Sequence, residues 1–212
     1  MKRLGWWGIL LLAVVICSYA LLQYGFLGVE TSGFISDKIE QYGPQSKMWY
    51  VTLFVHVFGS LCSLLLGPFL LSERFRKRNI NVHKMMGKVY LLSVFIGGIS
   101  GLLLAFYATG GLIAQVGFGL LAVSWLLSGL IALKMIKEQK ILLHRKWMIR
   151  NYALTFAAVM LRIWLPIFIL IFGEASFHIS YQIISWLCWV PNLIVVELVM
   201  KSQAFHDNAL KL

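Results

Sequence analysis

Acidic residues are scarce in this sequence: eight Asp and Glu stand against nineteen Lys and Arg in 212 residues, a formal net charge of +11. Cysteine is scarcer still. Cys17, Cys62 and Cys188 all fall inside apolar runs, and no two stand at a metal-ligand spacing. That pattern argues against a disulfide scaffold or a zinc finger. No HExxH motif is present, and no Ser, His and acid meet at one depth of the apolar runs, so the familiar hydrolase chemistries have no support. No internal repeat is visible, and no stretch outside the apolar runs is long enough for a separate soluble domain.

What the chain has in abundance is apolar surface. It is 60% hydrophobic and 14% aromatic, with a mean hydropathy of +0.82, far outside the range of soluble domains. Six runs are long enough to cross about 30 Å of hydrocarbon at 1.5 Å per helical residue: 5–27, 48–71, 89–109, 112–133, 147–173 and 181–200. The expected fold class is therefore an all-α integral membrane protein. It is a six-transmembrane-helix bundle forming one membrane domain over 1–212. Ile16 before Cys17 fits a lipoprotein signal poorly, and the first run continues past the Ser-Tyr-Ala that ends at Ala20, so that run reads as an uncleaved anchor.

The distribution of basic residues gives an orientation. Counting from a cytoplasmic N-terminus, sixteen of the nineteen Lys and Arg fall on one side, in the N-terminal pair, the second and fourth connections and the C-terminal tail. Only Lys38 and Lys47 fall opposite, and Arg162 lies within a span. The positive-inside pattern predicts cytoplasmic N- and C-termini in a multi-pass protein of the cell membrane. The basic runs then read as topology signals and anionic headgroup contacts, not as a nucleic-acid surface.

Polar residues inside the spans are few and aligned. Arg162 shares a helical face with His144, Met148, Asn151, Thr155 and Ala158. A guanidinium at membrane depth costs several kcal/mol, roughly 3 on insertion scales, and so faces a bundle interior or a wet cavity. The only acid within a span, Glu197, falls near the opposite membrane face, and Pro166 would free the carbonyl of residue 162 to help satisfy the site. His56, Ser60, Ser63 and Gly67 share a face of the second span, and His83, Gly87, Tyr90, Val94, Gly97 and Gly101 share one of the third. Gly97 and Gly101 form a GxxxG, whose commonest meaning is close helix packing, although the same bare surface could accept a flat ring. His56 lies roughly 10 Å below the outer boundary and Arg162 roughly 16 Å at 1.5 Å per residue, so the two could meet if spans two and five are neighbours. His83 and His144 stand together at the cytoplasmic entrance of their spans.

The segments LFVHVFGSLCSLLLGPFLL from Leu53, VHKMMGKVYLLSVFIGGISGL from Val82, GFGLLAVSWL from Gly117 and HRKWMIRNYALTFAAVMLR from His144 resemble the domain of unknown function 2306 family of predicted bacterial membrane proteins, over a core of about residues 50–165. The resemblance implies a multispan fold and marks His56, His83, His144, Arg150 and Arg162 as positions within the family pattern. It supplies no activity. A looser similarity is to the ascorbate-reducible b-type cytochromes, in which transmembrane histidines pair to hold haem. Phe118, Ser124 and Trp125 occupy span four where those proteins carry another His, so that similarity implies at most one bis-His haem.

Three functional classes follow. The first is a redox membrane protein with one haem b between the candidate ligands His83 and His144, with basic residues such as Arg150 near its propionates and an outer quinone or proton site at His56 and Arg162. The second is a non-enzymatic factor that assembles or stabilises a larger membrane complex, with the Gly-rich faces used for packing. The third is a small transporter, for which one Arg and one His are the only mid-depth candidates. A metal ion in place of haem lacks carboxylate or thiolate partners near either His group, and catalytic residues are not identifiable.

Overall fold

Residues 3–209 are described in a computed structural model. In chain order the elements are α1 (Arg3–Leu21), continued by a wider π-helical turn (Leu22–Leu27), a short outer helix α2 (Gly33–Tyr42), α3 (Lys47–Leu71), a linking helix α4 (Glu73–Arg78), α5 (Ile80–Ala105), α6 (Gly111–Lys137), α7 (Ile141–Thr155), α8 (Ala157–Phe172), α9 (Phe177–Leu187) and α10 (Val190–Ala209). No strand occurs among the described residues. Among the described residues six helical stretches are long and apolar enough to cross a membrane: Gly5–Leu27, Lys47–Leu71, Ile80–Ala105, Gly111–Lys137, Ile141–Phe172 and Glu174–Ser202.

Two spans begin earlier on the basic face than the hydropathy pattern predicts. The third starts at Ile80, not residue 89, and the fifth at Ile141, not residue 147. Backbone hydrogen bonding continues the helix past the apolar limit, while long side chains such as Lys84 and Lys146 can extend to the membrane surface. At its other end the third span stops at Ala105, and Gly110 and Gly111, with φ of +100° and +64°, make the reversal into α6.

Spans five and six are each two helices. Thr155 Oγ1 donates back to the Asn151 carbonyl (3.0 Å), a bond that loosens a helix, and the chain turns at Phe156 before α8. In span six the Trp189 indole N–H donates to the Ser185 carbonyl at 3.0 Å, and Pro191 has no N–H with which to continue the ladder. A break of this kind is tolerated at membrane depth where protein or a cavity surrounds it.

The bundle is organised around α3 and α5, which share the most extensive interface, while α6 packs on α5, α7 and α9. The joint between α3 and α7 shows how sequence sets the packing. Pro68 cannot donate to the Leu64 carbonyl one turn earlier, and the Tyr152 hydroxyl donates to that carbonyl instead (3.1 Å). Its ring lies where a Cβ on Gly67 would be. The outward surface is apolar, with Leu142, Leu112 and Leu170 exposed by 76, 73 and 86%, a pattern suited to lipid and not to water.

Replacing Tyr152 by Phe leaves a buried carbonyl without its donor and should lower stability by about 1–3 kcal/mol. Gly67→Ala should cost a similar amount, about 1–3 kcal/mol by overpacking. Gly119→Ala, where an added Cβ meets no atom within 4 Å, should be silent in the same thermal unfolding measurement in detergent.

Candidate functional site

At the level of α2 and the far half of the spans, the helices enclose a cavity of about 250 Å³. Its polar wall comprises Lys38, His56, Ser60, Thr155, Arg162 and Tyr181, and the remainder is mostly Leu, Ala, Val and Gly with the rings of Trp49 and Trp125. Among the described residues no Asp or Glu lines it. Cationic side chains therefore reach a largely apolar chamber with no carboxylate among the described residues of its wall.

Each polar group is positioned by its element. The His56 ring lies on the glycine stripe of α5, with Nδ1 2.8 Å from the Gly97 carbonyl. A Cβ on Gly101 would stand 2.8 Å from Cε1 and 2.9 Å from Nδ1. The stripe thus receives an imidazole from α3 and the Trp125 ring from α6, not an extended cofactor plane. With Nδ1 donating to a carbonyl, Nε2 is left as the acceptor nitrogen of the neutral ring.

Arg162 sits half-buried on α8. Its Nη1 donates to the Ala158 carbonyl at 2.9 Å, one turn before its own residue, so the carbonyl freed by Pro166 is not the one it uses. Its Cζ lies 6.0 Å from the centre of the Tyr19 ring on α1, a cation–π contact that spans the seam between α1 and α8. His56 and Arg162 line the same cavity.

Lys38 is the member that sequence reasoning missed. It stands on α2 yet is only 4% exposed. Nζ donates to the Tyr107 carbonyl and lies 3.3 Å from Thr109 Oγ1, with the Tyr42 and Trp49 rings 5.3 and 5.7 Å away. Burial pushes its ammonium below the ordinary lysine range. A useful signal was present in the helical spacing of Ile35, Lys38 and Ile39, which puts the lysine beside apolar residues of a short amphipathic turn.

Below the cavity a buried network joins the core. The Tyr90 hydroxyl donates to Asn151 Oδ1 (2.7 Å) and lies 3.1 Å from Thr155 Oγ1, which accepts the Trp125 indole N–H at 2.9 Å. Asn151 Nδ2 donates to the Trp125 carbonyl and to Ser128 Oγ, both at 2.8 Å. These contacts tie α5, α6 and α7 together directly beneath the chamber.

Residues 53–200 match the family described as predicted membrane protein (DUF2306). The chain belongs to the DUF2306 family. No curated protein and no solved structure matches it. The DUF2306 match runs through the sixth span and leaves the first outside, although α1 supplies Tyr19 and part of the cavity wall.

The remaining candidates in this DUF2306 member lie toward the basic face. His83 and His144 are both in the first turns of helices running in the same direction, each seven residues before the Tyr90–Asn151 contact. His144 Nδ1 is 2.8 Å from the Ala132 carbonyl, and the buried Nδ1 of His83 has no hydrogen-bond partner among the described residues. Arg150 is committed elsewhere: it pairs with Glu197 through Nε (2.5 Å) and Nη2 (3.0 Å), with Cζ 4.8 Å from the Trp147 ring centre. No cluster of three or more His, Cys, Asp or Glu able to hold a metal ion occurs among the described residues.

Gly101→Ala should push the His56 ring off the Gly97 carbonyl. The expected result is a shifted or broadened Nδ1–H resonance of His56 in nitrogen-labelled protein, with the helical circular dichroism retained.

Proposed function

We propose that this chain is a quinone-linked redox protein of the cell membrane, whose outer cavity receives a quinone head group between His56 and Arg162. The observation that carries the reading is the chamber itself, an apolar space lined by a neutral-ring acceptor and a guanidinium, with no acidic side chain among the described residues of its wall. A cavity of about 150 Å³ holds a benzene ring. The chamber here, at about 250 Å³, has room for a substituted ring. Arg162 can donate to a carbonyl oxygen and favour the negative charge that appears there on reduction. His56, with Nδ1–H committed to the Gly97 carbonyl, can accept a hydrogen bond or a proton from a quinol hydroxyl at Nε2. The positive-inside pattern supports a chamber in the half of the membrane away from the cytoplasm.

Trp49 and Trp125 lie in the chamber wall, so a bound quinone should quench tryptophan fluorescence. A short-chain naphthoquinone titrated into the purified protein should give saturable quenching. His56→Ala and Arg162→Met should each weaken it at least tenfold, about 1.4 kcal/mol. Wild-type affinity in both variants, with their folds intact, would remove the assignment.

A second reading adds haem b at the basic face, held by His83 and His144. Its support is the donor set: two imidazoles at one helical level, with the His144 Nδ1–carbonyl contact leaving Nε2 available and a buried His83 nitrogen left without a partner among the described residues. A bound haem would supply one-electron chemistry. After expression with haem precursor, the dithionite-reduced protein should show a sharp α-band that is lost in His83→Ala and in His144→Ala. Retention of the band in both variants would sink this reading while leaving the outer cavity untouched.

A further inference from the structure

Lys38 presents an unanswered charge. Its side chain is almost wholly buried, it forms no ion pair with an acid among the described residues, and its two protein acceptors leave one of three ammonium protons without a described partner. Burying an ammonium in this way is costly unless a negative charge reaches it. Tyr42 and Trp49 offer ring faces, which soften the desolvation without neutralising the charge.

Position makes the counter-charge of Lys38 a ligand question. Lys38 lines the same chamber as His56 and Arg162, and it reaches there from the short helix α2 that lies between the first and second spans. Its anchors, the Tyr107 carbonyl and Thr109, belong to the turn between α5 and α6. The lysine therefore ties α2 over the chamber while keeping its charge at the chamber wall. A surface lysine such as Lys47, which is exposed, has no comparable constraint.

We infer that Lys38 is a specificity-determining residue of the chamber and that the preferred head group carries an ionised oxygen, as in a hydroxylated quinone, placed against its ammonium. The inference rests on the quinone reading of the cavity and adds the charge of the ligand to it. Lys38 supplies the counter-charge, and the apolar remainder of the wall accepts the ring and the start of its tail.

The test compares two probes at neutral pH by tryptophan quenching: a hydroxynaphthoquinone with a short alkyl tail, ionised under these conditions, and the matching naphthoquinone without the hydroxyl. The wild-type protein should bind the ionised probe at least tenfold more tightly. Lys38→Gln, which keeps a donor for the Tyr107 carbonyl, and Lys38→Met should bring the affinity ratio close to one, whereas Lys38→Arg should largely preserve it. A wild-type ratio near one overturns the role of Lys38 but leaves quinone binding standing. A ratio unchanged in a folded Lys38→Gln protein also overturns it and assigns the preference to Arg162. If neither probe binds the wild type, the quinone reading and this inference fall together.

Discussion

A charge placed away from water must be answered by something, and the supply of carboxylates in this chain is small. One of them, Glu197, is used in full by Arg150, which it grips through two nitrogens beside the Trp147 ring. The cations of the other half receive carbonyls, a hydroxyl and aromatic faces instead. The Arg150–Glu197 pair on the basic side thus contrasts with Lys38 and Arg162, whose charges are met by dipoles and ring faces. Dipoles can hold a cation in place, but they leave its field extending into the chamber.

The helices provide the rigidity that this arrangement needs. Glycines on α5 bring α3 and α6 close enough for an imidazole and an indole to occupy the stripe, and the Tyr90–Asn151–Thr155–Trp125 network fixes the register of three spans below it. The irregular turns of spans five and six occur near residues of the cavity wall: Thr155 and Ala157 on one and Cys188 on the other. In these two spans the interruption of the helical ladder therefore falls where protein surrounds a space.

Much of the fold was legible because a bilayer imposes length and periodicity on sequence. Six spans, the inward faces of His56 and Arg162, and the alignment of Asn151 with Thr155 could all be read from apolar run length and the 3.6-residue repeat. The starts of spans three and five were misplaced because hydropathy ends where charged side chains begin, whereas the helix ends where its hydrogen bonds do. Lys38 was invisible for a different reason. Its burial depends on α2 folding back over the bundle, a tertiary event that the short Ile35–Lys38–Ile39 spacing is compatible with but does not specify. Arg150 was legible as one of the basic residues around the fourth connection, but its partnership with Glu197 required the packing of α7 beside α10.

The Pro68–Tyr152 joint carries an evolutionary consequence. The hydroxyl on one span exists to serve a carbonyl that the proline on another has stripped of its donor, so the two positions form one unit of selection although 84 residues separate them. A relative with an ordinary residue in place of Pro68 would restore the helical donor and release position 152 to become phenylalanine. Proline retained with the hydroxyl lost would leave an uncompensated dipole in the membrane. Exchange at these two sites should therefore be ordered in time, with the proline changing first.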